Sequence, residues 1–230
     1  MFSSRALMQL YRRLHKAYGP QDWWPAESPF EVIVGAVLTQ NTAWTNVEKA
    51  IHNLRKAGKL SLSAILRLEH AELAALIRPS GYFNIKVTRL KNLCLWLERQ
   101  GGVARLGKWP TPKLREGLLS VNGIGPETAD DILLYAYNRP VFVIDAYTRR
   151  LLVRLDIAEG NEPYETLRTA FEAVLEADPA LYNEYHALIV RHAKQKCSTL
   201  PGCLHCGIEL PLAAGDKKVV KRSKIPVRGA

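Results

Sequence analysis

LLSVNGIGPETADDILLYAYNRPVFVIDAYTRRLL, residues 118–152, decides how this chain is read. An apolar helix pattern, LREGLLSV, runs into NGIG, and a second helix begins at PETADD. Glycines allow a tight turn and leave backbone N–H groups unobstructed. Pro126 stands at the first helical position, where no N–H is missed. Amide donors at such a helix start suit a phosphate oxygen. The same turn also serves as an ordinary link between two helices, so GIG alone leaves both readings open. Farther on, the apolar connector VFVI delivers Asp145 directly in front of another helix. Asp is among the best N-cap residues, so a structural role for Asp145 is the first expectation.

Helices extend outward from this stretch in both directions. Leu7, Leu10, Leu14 and Tyr18 have helical spacing near the start. Ser28-Pro29 opens FEVIVGAVLTQ, and Thr42 is a candidate cap for AWTNVEKAIHNLRKAG, which ends at Gly58. LSAILRL and HAELAALI are short, with Pro79 ending the second. Val87, Leu90, Leu93, Cys94 and Leu97 give the next helix a core stripe. Thr111-Pro112 opens KLREGLLSV; TRRLLVRL, YETLRTAFEAVLEA and ALYNEYHALIVRHAKQ follow the connector. The expected fold class is all-α.

The 230 residues, 47% of them hydrophobic, are enough for a real core. No apolar run approaches the ~20 residues of a membrane span, and MFSSRALMQLYRRLHKAYG lacks the pattern of a signal peptide. The expectation is a soluble intracellular protein of the cytoplasm or nucleoid, with no membrane partner. Of the formal charge of +10, residues after Asp216 carry +6 on Lys217, Lys218, Lys221, Arg222, Lys224 and Arg228, leaving +4 for the rest. Such a basic tail, 216–230, is expected to be disordered and to favour polyanions.

The whole stretch of GIGxxTA, Asp145 and the arginines after it resembles the helix-hairpin-helix DNA glycosylase superfamily, which includes endonuclease III. The resemblance extends from about Pro29 to Cys206. It implies a two-lobed all-α fold with the DNA cleft between the lobes. Residues 28–139 would form a helical barrel holding the hairpin at about 112–137, and 1–27 with 140–215 the second lobe. Gly123, Ile124 and Gly125 would grip the DNA backbone, and Asp145 would be catalytic. Double-stranded DNA is the implied partner and a monomer the implied state.

Endonuclease III carries a Lys where this chain has Glu127. That amine forms a Schiff base with the sugar, which a carboxylate cannot do. The chain therefore resembles a monofunctional base-excision glycosylase, in which Asp145 polarises water and stabilises positive charge on the sugar. Glu127 is a supporting candidate. Glu127, Asp130 and Asp131 are equally explained as acids that favour the helix macrodipole.

QDWWPAESPF and LTQNTAWTNVEKA resemble the 3-methyladenine DNA glycosylase III branch. That likeness implies that Gln40 fills the gap left by an extruded nucleotide and that Trp23, Trp24 and Trp44 form the base pocket. A duplex base must be flipped out before it can be cleaved, and a cationic alkylated purine is attracted to aromatic faces. Core packing is the plain alternative for the tryptophans. Two other functions stay open: an endonuclease III-type glycosylase/lyase on oxidised pyrimidines, and a non-catalytic helix-hairpin-helix DNA-binding protein.

Cys197, Cys203 and Cys206 form C-x5-C-x2-C, a spacing that suggests metal in an intracellular protein. In endonuclease III relatives this segment holds a [4Fe-4S] cluster through four cysteines. Here Leu212 takes the place of the fourth. The cluster is thus incomplete, completed by another ligand, or lost. Cys94 is expected in the core.

Overall fold

A computed structural model of the chain describes residues 3–24, 26–155 and 157–197. All the regular structure among them is helical: α1 (Ser4–Tyr18), α2 (Pro29–Leu38), α3 (Trp44–Lys56), α4 (Leu62–Arg67), α5 (His70–Ile77), α6 (Phe83–Arg99), α7 (Val103–Leu106), α8 (Thr111–Leu119), α9 (Pro126–Asp131), α10 (Ala146–Arg154), α11 (Tyr164–Glu172) and α12 (Pro179–Lys196). A 3₁₀ turn, Arg78–Ser80, follows α5, and a π-helical turn, Ile132–Ala136, follows α9.

Two hydrophobic cores build the two lobes. The first draws on residues from Ile33 to Val141 around α2, which is buried from Glu31 to Leu38. A helix apolar on every side belongs in the middle of a core. The one acid in that run, Glu31, is neutralised by Arg55 of α3 at 2.8 Å. The second core joins Leu7, Leu10 and Leu14 of α1 to Phe142, Phe171, Tyr182 and Tyr185. Phe142 stacks on Phe171 with centroids 4.2 Å apart. Around the π turn and the connector the chain steps between the cores: Leu133 lies in the first and Leu134 in the second, and Val141 and Phe142 repeat the switch. The extra residue per turn of a π-helix re-aims successive side chains, and here it sends two neighbours into different cores.

Several local expectations need correction. The side chain of Thr42 does not cap α3; Ala43 takes the N-cap position without a side-chain hydrogen bond, and the Thr42 amide is spent on Thr39 O at 3.1 Å. PETADDILLYAY is not one regular helix, because the π turn interrupts it. YETLRTAFEAVLEA is helical only to Glu172. The four-residue α7 has too little periodicity to be seen in sequence. VFVI is an extended connector with no strand partner, as its length suggests.

Candidate active site

A cavity of about 520 Å³ is lined by Trp23, Trp24 and Trp44, by Glu127 and Asp131 of α9, by Asp145, and by Tyr147, Arg150, His186 and Lys194. The connector holds one side of it. Val141 to Ile144 are all buried. The Phe142 N–H donates to Glu172 Oε1 at 2.9 Å, and the Ile144 N–H donates to the Tyr164 hydroxyl at 3.4 Å. Asp145 then N-caps α10, with Oδ1 accepting from the Thr148 N–H at 2.7 Å. The expected capping role is therefore present, and it also fixes a carboxylate at the cavity wall.

Tryptophans line the same cavity. Trp24 has φ +63°, a strained value for a bulky residue. Its ring stacks on Tyr135 at 4.8 Å and meets Trp44 edge-on at 5.0 Å. Gly35 makes room for it, since a Cβ there would lie 3.3 Å from the indole. Trp44 Nε1 donates to Glu48 at 2.9 Å. Trp23 and Trp24 precede α2 in an irregular segment, so the geometry of one helix face does not separate them. The Lys194 ammonium lies 5.6 Å from the Trp23 ring centroid and 5.4 Å from that of Tyr147.

The acids of the cavity are pushed in opposite directions. Burial raises the Glu127 carboxyl above its ordinary range, and the charge of Asp145 adds to this. Burial raises Asp131 well above its usual value, with Glu127, Asp145 and Asp130 adding to the effect. Burial also works against the charge of Asp145, but the pull of His186 and the hydrogen bonds from Thr148 outweigh it and hold the group below the usual range. Acids pushed apart in this way can perform different tasks at one pH.

The hairpin lies beside this cavity. Gly123 has φ +95°, and a Cβ there would lie 2.3 Å from Arg89 Cγ, so both backbone and space require glycine. Ile124 is buried, and its N–H is already spent on Val121 O at 3.0 Å. Gly125, the N-cap of α9, faces open space. Gln40 is not free: Nε2 donates to Gly123 O at 3.2 Å and to Thr128 Oγ1 at 2.9 Å, while Oε1 accepts from Arg89 at 2.6 Å.

The remaining expected residues are not brought to the cavity wall. Asp130 faces away and pairs with Arg115. Cys94 is fully buried in the first core, and burial pushes its thiol up to about 12. Cys197 is buried at the end of α12, whereas Cys203, Cys206 and the basic tail lie outside the described residues. Among the described residues no group of three His, Cys, Asp or Glu side chains is placed to hold a metal, and no helix is long and apolar enough to cross a membrane. Sequence reasoning missed Tyr135, His186 and Lys194. The available signal was a histidine within the apolar run of α12, a position that calls for a buried partner.

Residues 34–177 match the family described as HhH-GPD superfamily base excision DNA repair protein. A Methanocaldococcus jannaschii protein, provisionally named a DNA repair glycosylase, is 45% identical over 206 residues, covering 88% of this chain and 94% of that protein. Endonuclease III of Thermotoga maritima is 25% identical over 205 residues, with 88% and 87% covered. Among solved structures, H. pylori 3-methyladenine DNA glycosylase bound to 1,N6-ethenoadenine is 35% identical with a TM-score of 0.72, covering 85% of this chain and 99% of that one. A non-covalent endonuclease III–DNA complex shares the fold at 18% identity and a TM-score of 0.72, covering 87% and 90%. With a hairpin at α8–α9, a carboxylate after the connector and a matching family over most of its length, the chain belongs to the HhH-GPD superfamily of base-excision-repair DNA glycosylases.

Proposed function

We propose that this glycosylase is monofunctional and releases alkylated purines such as 3-methyladenine from double-stranded DNA. The observation that carries this reading is a cavity that Trp23, Trp24 and Trp44 line together with Glu127, Asp131 and Asp145. Its volume of about 520 Å³ suits one flipped base. An N-alkylated purine is cationic, so aromatic faces attract it by on the order of 0.5–2 kcal/mol each. Carboxylates at the wall add to that attraction. The likeness to a 3-methyladenine glycosylase supports the same substrate class.

Asp145 is the reacting carboxylate in this proposal. Held ionised, it stabilises positive charge on the sugar as the C1′–N bond breaks and its electron pair leaves with the base. It also orients the water that adds to C1′ and takes up the proton released. The base departs neutral from a cationic ground state, so it needs no general acid. Gly123, Ile124 and Gly125 are proposed to meet the DNA backbone, mainly through the open face of Gly125. Gln40 could enter the duplex only by exchanging its bonds to Gly123, Thr128 and Arg89. We further propose a monomer, the lobe boundaries at 28–139 and at 1–27 with 140–215, and a degenerate iron–sulfur loop at Cys197, Cys203 and Cys206. Iron and sulfide analysis after anaerobic purification tests that last point; about four irons per chain would overturn it.

A second reading has one observation behind it. Lys194 places an amine at the cavity wall, and a glycosylase/lyase on oxidised pyrimidines needs an amine nucleophile. Glu127 at the hairpin and the seat of Lys194 against two aromatic rings weigh against it. The deciding experiment is base release from a panel of duplexes. Release of 3-methyladenine without strand scission is expected. Release of oxidised pyrimidines with scission would favour the lyase, and binding without release would favour a non-catalytic protein.

A further inference from the structure

Tyr135, on the π turn that follows α9, and His186, on α12, tie the aromatic wall to Asp145. Tyr135 stacks on Trp24, and its hydroxyl hydrogen-bonds His186 Nδ1. His186 projects from α12 and is only 4% exposed. Its Nε2 makes no hydrogen bond of its own and faces Asp145 Oδ2 across 3.5 Å. A buried polar atom left without a partner is costly, and apolar residues of the same shape would avoid that cost. The two oxygens of Asp145 are thus held differently. Oδ1 is committed to the helix cap at Thr148, so the rotation of Oδ2 depends on what faces it.

We propose that His186 is a positioning residue, which holds Asp145 Oδ2 turned and ionised for base release, while Tyr135 fixes the His186 ring. The proposal rests on the reading of Asp145 as the reacting carboxylate. When the Tyr135 O–H donates to Nδ1, the ring proton resides on Nε2, toward Asp145. A doubly protonated ring also keeps Nε2–H there. The other groups around the site are mixed in sign. Glu127 and Asp131 of α9 disfavour ionisation of Asp145 by their own charge, whereas Arg149 and Arg150 of α10 and Lys194 of α12 favour it. His186 Nε2 stands 3.5 Å from Oδ2 and is the ring nitrogen that meets it.

The test is single-turnover release of 3-methyladenine as a function of pH, with His186→Gln, His186→Ala, Tyr135→Phe and Asp145→Asn beside the wild type. His186→Gln and His186→Ala are expected to lower the plateau about tenfold to a hundredfold. They should also move the acid limb of the profile to higher pH, because the group that favours the carboxylate is gone. Tyr135→Phe should shift both in the same direction by less. A purely structural loss would lower the plateau and leave the limb in place. An unmoved limb in folded His186→Gln overturns the proposal. The Gln variant also decides the matter if His186→Ala fails to fold, since its side chain refills the site. Substantial release by Asp145→Asn would sink the underlying functional reading instead. Loss of release in Asp145→Asn with an unchanged His186→Gln profile would sink only the positioning role.

Discussion

Asp130 and Asp131 are adjacent and both buried, yet α9 turns them into opposite kinds of site. Asp130 meets Arg115 through two bonds of 2.7 and 3.1 Å, with Arg168 at 3.9 Å. Arg115 continues to Glu165 at 2.6 Å, and Arg168 to Glu165 and Glu172. Burial works against the Arg115 charge, but its bonds to Asp130 and Glu165 outweigh this and hold it protonated. Asp131 faces the cavity instead, where the charges that bear on it most are Glu127, Asp145 and Asp130. One carboxyl joins the hairpin to α11 by neutralising cations. Its neighbour adds like charge to the cavity wall. Identical side chains thus enter an ion-pair network or a cavity of like charges according to which face of a short helix carries them.

The sharpest division between the two faces lies in the response to mutation. Asp145→Asn should lower base release by roughly a thousandfold, about 4 kcal/mol in the barrier, while damaged DNA is still bound. Asn caps a helix nearly as well as Asp, so melting should change little. Single-turnover kinetics with a binding titration checks this. Retention of most of the wild-type rate would remove Asp145 from the chemistry.

Arg115→Met acts on the other face. It leaves Asp130 buried beside a partial set of cations and should cost about 3–5 kcal/mol of stability. Urea denaturation reads the loss. Base release per folded molecule should stay near wild type, and a much larger loss of rate would mean that the ion-pair network reaches the chemistry.

Trp24→Ala and Trp44→Ala should each cost on the order of 1–3 kcal/mol in processing of 3-methyladenine. Binding to undamaged duplex depends on backbone contacts and should fall less. Equal losses on both substrates would assign the tryptophans to the fold. Removing Trp24 also uncovers Tyr135, so the pair separates a wall residue from one that is also a support.

Asp131→Asn should raise the melting temperature at neutral pH by a few degrees. The sign follows from the raised carboxyl pKa in the folded state. Above about pH 4 the unfolded chain has released this proton, while the folded chain keeps it or holds a disfavoured charge. Stability therefore falls as pH rises through that window, and Asn removes the penalty. The gain should vanish toward pH 3, and melts across pH would show it. A lower melting temperature at neutral pH would mean that the Asp131 carboxylate is a net stabiliser. The smallest expected signal is borohydride trapping on damaged duplex, which should yield no efficient covalent adduct. Strong trapping at Lys194 would revive the lyase reading.

Much of the fold is legible because helix signals are local. Ser28 accepts from the Glu31 N–H and Pro29 begins α2, as a Ser-Pro start predicts. The stripe Val87, Leu90, Leu93, Cys94 and Leu97 is buried on α6. NGIG demands a turn, and Asp145 in front of a helix demands a cap. Residues three or four apart meet on a helix whatever else the chain does, so spacing alone carries such statements. The π turn was not legible, because it arises where Leu133 and Leu134 must enter different cores. Nor was the seat of Gln40, whose bonds reach Gly123 and Thr128 more than eighty residues away. Sequence could name Asp130 and Asp131 but not separate them, since only the packing of α9 against α8 with the ion pairs to Arg115 and Arg168 on one side, and the cavity on the other, assigns each its neighbours. Tyr135 and His186 stand 51 positions apart, and His186 meets both Tyr135 and Asp145 only after α12 docks beside α10 and the π turn. Tertiary packing decided those contacts because no local periodicity encodes which distant side chains share one low-dielectric site.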